Sequence, residues 1–147
     1  AGGICDGRSM LAAIALGADG VQVGSRFVCS EESSAHDAFK QQVSLAKEGD
    51  TQLTLKEITP VRLLKNDFYK KVQFAYSQGV DVEGLKELLG RGRAKKGMFE
   101  GDLVDGELEI GQVSGRFSQI LPAATILNQM IKEFESERQR LCATIGQ

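Results

Sequence analysis

Two short glycine stretches carry the chemistry that this sequence can perform. Gly2-Gly3 stands near the start of the chain, and Gly24-Ser25 follows the apolar run Val21-Gln22-Val23. Glycine has no Cβ, so its backbone can turn N–H groups outward in conformations closed to other residues. Amide donors of this kind, joined by a serine hydroxyl, suit an anion and above all a phosphate. Gly2, Gly3, Gly24 and Ser25 are therefore the candidate binding residues.

The elements between them must bring the two stretches together. Asp6 is an N-cap for a helix through Met10, Leu11, Ala13, Ile14 and Leu16, and Gly17 is the C′ residue where it stops. The start of that helix, with its unpaired N–H groups, is expected to face whatever sits over Gly3. Val21-Gln22-Val23 reads as a short buried strand, and a right-handed crossover would carry Gly24-Ser25 to the same rim as Gly2-Gly3. Any one of these glycines alone would be only a turn residue. Two such loops separated by a helix of about three turns match the last two βα units of a (β/α)8 barrel, which often hold a phosphate.

The residues Ala1-Gly2-Gly3-Ile4, Asp6-Gly7-Arg8, Ala12-Ala13 and Ala15 to Phe27 resemble the flavin-phosphate segment of the nitronate monooxygenase (2-nitropropane dioxygenase) family. Glu31, Ser33, Ala35-His36 and Lys40 follow at that family's spacing. Gly92-Arg93-Ala94, Glu100-Gly101-Asp102, Gly111 to Gly115 and Pro122-Ala123-Ala124 resemble its C-terminal part, while residues 41–90 match weakly. The resemblance implies an α/β fold, the C-terminal portion of an FMN-binding (β/α)8 barrel with a small helical cap segment. It implies that Gly2, Gly3, Gly24 and Ser25 hold the FMN phosphate, with Ser25 standing where the family usually has Thr. It places Gln112 and Ser114 near the flavin and substrate pocket, although a helix-entry turn would explain both. The implied activity is oxidation of alkyl nitronates with O2. Flavin-type enoyl-acyl-carrier-protein reductases, which use NAD(P)H, are related to the same motifs. A nucleotide-binding barrel of the inosine-monophosphate dehydrogenase type has similar phosphate loops, but its cysteine loop is not identifiable here. A non-catalytic phosphate-binding or interaction module is the reading from another class. The family's catalytic histidine comes from an earlier strand, so the catalytic group is unassigned in this chain.

With 147 residues the chain falls short of the about 250 of a whole barrel, and it is expected to be part of a longer protein. The expected division is residues 1–48 for the last barrel units, 49–115 for the cap and 116–147 for a C-terminal helix packing back on the barrel. A net charge of −2 with no basic clusters interleaved with aromatics argues against nucleic acid as partner. No apolar run reaches the length of a membrane span. Three cysteines without C-x-x-C spacing argue against a disulfide framework or zinc site and fit a cytoplasmic setting. A small-molecule substrate is expected, and a homo-oligomer is allowed.

Further along, Ser30 reads as the N-cap of a helix that carries Ala35, Phe39, Val43 and Ala46 on one face and stops at Gly49. The sole histidine, His36, falls in this helix and reads as structural rather than as a base. Thr51 to Leu55 and Ile58 to Leu64 suggest a strand pair, Asn66 to Ser77 a helix with Phe68, Val72 and Ala75 inward, and Val82 to Leu89 another. Lys95-Lys96 with Arg91 and Arg93 reads as a solvated loop or helix end. Gly90 to Gly115 reads as loops whose glycines take positive φ, and Glu100, Asp102, Asp105, Glu107 and Glu109 as a solvated acidic rim that fits no known cation loop. Pro122 to Arg140 is the expected final helix, its inner face drawn from Ile126 or Leu127, Met130 or Ile131, and Phe134.

Overall fold

Asp6 sets the first element. In the computed structural model, which describes residues 1–145, its carboxylate accepts from the Ser9 amide at 2.7 Å and the Ser9 hydroxyl accepts in turn from the Asp6 amide at 3.3 Å. That reciprocal box starts helix α1, Gly7–Ala15, and Gly17 at φ +98° ends it. The last helix of the chain, here α7 (Ala123–Ile145), lies along α1 and buries Ile126 and Met130. The Glu133 carboxylate of α7 accepts from the Gly7 amide at 2.9 Å, and Arg8 pairs with Glu137 at 2.8 Å. Leu127 and Ile131, the alternative inner residues, are exposed.

Between these two helices the chain forms α2 (Ser25–Val28), α3 (Asp37–Ser44), strands β1 (Thr51–Thr54) and β2 (Val61–Leu64), α4 (Asp67–Ser77), α5 (Val82–Leu89) and α6 (Arg93–Met98). A 3-10 turn follows at Gln112–Arg116. β1 and β2 are antiparallel, with Thr51 opposite Leu64 and Thr54 opposite Val61. Residues 108–110 extend this pair, since Leu64 donates to the Leu108 carbonyl and Ile110 to the Arg62 carbonyl. One core gathers Cys29, Phe39, Val43, Leu64, Leu108 and Ile110. A second lies beneath the hairpin and α4, from Leu55, Leu63, Phe68 and Val72. Asn66 and Asp81 cap α4 and α5 through Tyr69 and Gly84 amides at 2.9 Å each, and Leu85 is the buried residue of α5.

Four expectations need correction. Val21-Gln22-Val23 forms no strand, because a parallel strand takes its hydrogen bonds from neighbouring strands and none of the described residues supplies one. Ser30 does not begin a helix. Its neighbours are engaged with Leu121 instead, through Glu31 N–H to Leu121 O at 3.0 Å and Leu121 N–H to Cys29 O at 3.3 Å, so α3 begins only after His36. His36 is its N-cap, with Nδ1 accepting from the Ala38 amide at 3.1 Å. The stretch from Gly90 contains helix α6, and Arg93 at its start is not a solvated cation: it donates to the carbonyls of Leu88, Leu89 and Asp105 and stacks over Phe68 at 4.5 Å. Finally, Gly97 and Gly106 in that stretch serve close approach rather than positive φ, since a Cβ on Gly106 would stand 2.2 Å from the Gly97 Cα.

The α1–α7 contact yields a direct test. A Cβ at Gly7 would meet Phe134 N at 2.2 Å and Met130 O at 2.3 Å, both main-chain atoms of α7 that cannot rotate aside. Gly7→Ala is expected to lower stability by about 3 kcal/mol in urea unfolding. Gly20→Ala, with open space and no positive φ, should stay within about 0.5 kcal/mol of the parent.

Candidate functional site

Gly2 and Gly3 adopt φ of +85° and +74°, and a Cβ on either would meet nothing within 4 Å. Gly24 precedes α2, also with open space above its Cα, and Ser25 is the first residue of that helix. These four residues line one cavity of about 260 Å3, with Ala1, Ile4, Gln22, Gly111 and Val113 completing the wall. The backbone amides of Gly2, Gly3, Gly24 and Ser25 have no hydrogen-bond acceptor among the described residues. The Ser25 hydroxyl accepts from the Gly111 amide at 3.0 Å and donates to none of the described residues, so its proton is available to the cavity. A small pocket walled by glycines and furnished with free donors can take an anion without displacing any side chain.

The start of α1 is not among those donors. Gly7 and Ser9 amides are taken by the carboxylates of Glu133 and Asp6, and neither Asp6 nor Gly7 lines the cavity. Burial alone would raise the Asp6 carboxyl, but the Ser9 hydroxyl and amide, with Arg116 at 2.8 Å, hold it below the usual range. The free donors that line the cavity therefore belong to loop backbone and to Ser25.

Arg26 fixes the second loop from behind. It is 6% exposed, its Nη1 donates to the Gln119 carbonyl at 3.0 Å, and its guanidinium stacks over Phe117 at 5.0 Å. No carboxylate lies within salt-bridge distance among the described residues, and burial pulls the guanidinium below its ordinary pKa. Cys5 lines the cavity behind this arginine, of about 340 Å3. Burial, reinforced by the charge of Asp6, pushes its thiol up to about 11, which keeps it protonated and unreactive.

The family profile for nitronate monooxygenase matches residues 1–133. The chain belongs to the nitronate monooxygenase family. It is 34% identical over 135 residues to a probable nitronate monooxygenase of Staphylococcus saprophyticus, covering 90% of this chain and 37% of that protein. Among solved structures, FabK from Thermotoga maritima is 34% identical with a TM-score of 0.85, over 97% of this chain and 45% of that one. Nitroalkane oxidase from Streptomyces ansochromogenes is 30% identical with a TM-score of 0.71, over 95% of this chain and 40% of that one. The chain thus spans about two fifths of the length of these relatives.

Of the pocket residues that the family resemblance implied, Gln112 is exposed and lines an adjoining cavity of about 530 Å3 with Gly3, Glu48, Val113, Gly115 and Arg116. Ser114 is not brought there. It is fully buried, and its Oγ has no partner among the described residues. Gly111 and Arg26 are the residues that sequence reasoning passed over. Gly111 had a signal, as the glycine heading the Gly111 to Gly115 motif. Arg26 had only its place beside Ser25.

His36 is exposed and committed to capping α3, which gives it no route to the cavity. The acidic stretch is not uniformly solvated, and the described residues contain no cluster of His, Cys, Asp or Glu able to hold a metal. Asp102 pairs with Lys96 at 2.9 Å and accepts from the Val104 and Asp105 amides, while Asp105 pairs with Lys71. Glu107 is buried at 7% exposure, and burial followed by the charge of Glu109 raises its carboxyl to about 7. No helix among the described residues is long and apolar enough to cross a membrane.

A raised carboxyl pKa favours the protonated native state, so the folded chain binds more protons than the unfolded one between about pH 4.5 and 7. Stability on this account falls as pH rises through that window. Glu107→Gln should remove the fall and leave the variant on the order of 2 kcal/mol more stable than the parent at pH 8, with little difference at pH 4.5. Urea midpoints at the two pH values measure it.

Proposed function

We propose that residues 1–147 are the C-terminal part of an FMN-dependent oxidoreductase of the nitronate monooxygenase type, built on a (β/α)8 barrel. The observation that carries this reading is the convergence of the free amides of Gly2, Gly3, Gly24 and Ser25, with the Ser25 hydroxyl, on one glycine-walled cavity. Family membership supports FMN as the phosphate bearer. The fit is steric as well as chemical, since the space above Gly2, Gly3 and Gly24 is open. Leu16, 90% exposed, and the exposed Leu127 and Ile131 leave apolar surface for further barrel elements to cover.

FMN, when bound, would supply the redox chemistry by which an alkyl nitronate is oxidised with O2 as the electron acceptor. The residues of this chain hold the phosphate end. Gln112, which lines the adjoining cavity, is the side chain proposed to contact flavin or substrate. The proton-transfer group belongs to the preceding part of the protein, and a cytoplasmic setting suits the free thiols Cys5, Cys29 and Cys142. The second reading, the NAD(P)H-dependent enoyl-acyl-carrier-protein reductase, is favoured by one observation, the higher TM-score to FabK than to nitroalkane oxidase.

In the full-length protein, FMN titration followed by flavin fluorescence should show saturable binding, with O2 consumed when an alkyl nitronate is added. Consumption of crotonyl thioester with NAD(P)H instead would select the second reading. Gly24→Asp keeps the open backbone site but sets a carboxylate among the donors, and like-charge contact should weaken FMN binding by about 100-fold or more. A protein that stays colourless and ignores added FMN would overturn flavin binding altogether.

A further inference from the structure

Gly111 lies 86 residues from Ser25 in sequence, yet its amide donates to the Ser25 Oγ at 3.0 Å and it lines the same cavity as Gly2, Gly3 and Gly24. We propose that Gly111 is a positioning residue for phosphate recognition, which aims the Ser25 hydroxyl proton at the anion. This inference rests on the FMN-phosphate reading above. A hydroxyl has one proton and two lone pairs. The Gly111 amide fills one lone pair, which fixes the rotamer of Ser25, and no acceptor among the described residues takes the proton. The remaining direction is the cavity, where an anionic oxygen would receive a charge-assisted hydrogen bond.

The residue on the far side of this contact is held firmly. Ile110 is buried and donates to the Arg62 carbonyl at 3.1 Å, and the Gly111 carbonyl accepts from the buried Ser114 at 3.0 Å. Gly111 itself has φ −71° and ψ 151°, which alanine adopts freely. A Cβ there would nevertheless stand 2.5 Å from Ser25 Oγ, against 3.7 Å from Ser25 Cβ and 3.9 Å from Val113 Cγ1. Gly111→Ala therefore does one thing: it displaces the Ser25 hydroxyl without straining the backbone. Glycine is required here by its neighbour's oxygen.

The test is a double-mutant cycle in the full-length protein, with FMN and with riboflavin, which lacks the phosphate. Gly111→Ala and Ser25→Ala should each weaken FMN binding by about tenfold, the size of one lost charge-assisted hydrogen bond, and leave riboflavin binding unchanged. Because Ser25→Ala removes the oxygen that the new Cβ would strike, the double variant should bind FMN as Ser25→Ala alone does. Urea midpoints should fall no further for Gly111→Ala than for Ser25→Ala, since both lose the same Gly111–Ser25 hydrogen bond. Wild-type affinity for FMN in Gly111→Ala, an equal loss for FMN and riboflavin, or losses that add in the double variant would each overturn the role of Gly111 while leaving FMN binding in place. A parent protein that binds no FMN would remove the phosphate reading and this inference together.

Discussion

The first thirty residues have no sheet of their own, and the ties that fix them come largely from the far end of the chain. Gly111 reaches Ser25, Gln119 takes Arg26, and Leu121 pairs with the backbone on either side of Ser30. Arg116 holds Asp6, and Glu133 caps the helix that Asp6 begins. Each of these is a hydrogen bond or ion pair across about 90 residues or more of chain, and closing such a loop costs conformational entropy that a single exposed bond does not offset. Their strength comes from being grouped around buried groups: Arg26, Ser30, Ile126 and Met130 are all inside. The candidate cavity is therefore a product of the α1–α7 contact and the 110–121 segment acting together, and a loosening of either would move both glycine loops.

The intervening residues serve that segment. β2 pairs with β1 on one edge and receives residues 108–110 on the other, so the hairpin fixes the position from which Gly111 approaches Ser25. Arg93 adds a second restraint by tying the end of α5 to the Asp105 carbonyl, just before the buried stretch of Glu107 and Leu108. Arg93 is half-buried, and drawing an arginine partly out of water is costly unless its donors are filled; three carbonyls with the face of Phe68 do that here. The weakly matching part of the sequence thus has a definite mechanical task, whatever else it covers.

What the sequence revealed follows from how far each interaction reaches. α1, α4 and α5 were legible because their signals are local: Asp6 bonds an amide three residues on, α4 and α5 carry apolar residues at helical spacing, and Gly17, Gly79 and Gly90 take positive φ where the helices stop. The hairpin was legible from its alternation. Ser30 misled because its neighbours' partner, Leu121, is remote, and nothing in Ser-Glu-Glu distinguishes a cap from an extended contact. Glu107 misled for the same reason, since its burial is set by α6 and the hairpin rather than by its acidic neighbours. At the cavity, the four residues named from the sequence do meet. Gln112 and Ser114 were chosen for their side chains, whereas the members of that motif which line the cavity are Gly111 and Val113, and the one that bonds Ser25 does so through its backbone amide.

That asymmetry bears on how much such a site can say. If backbone amides hold the phosphate, the sequence requirement is mainly for the absence of Cβ atoms at Gly2, Gly3 and Gly24 and for one hydroxyl at Ser25, and the same requirement serves any flavoprotein that anchors FMN this way. It does not distinguish a nitronate from an enoyl thioester. Discrimination between substrates needs side chains that contact the reacting part of the ligand, which lies a flavin's length away from its phosphate. The neighbouring cavity, with Gln112, Glu48 and Arg116 around it, offers polar side chains and shares Gly3 and Val113 with the glycine-walled cavity. The likeness to both FabK and nitroalkane oxidase is then what a common anchor predicts, since an anchor made of backbone amides and one hydroxyl is indifferent to the reacting group.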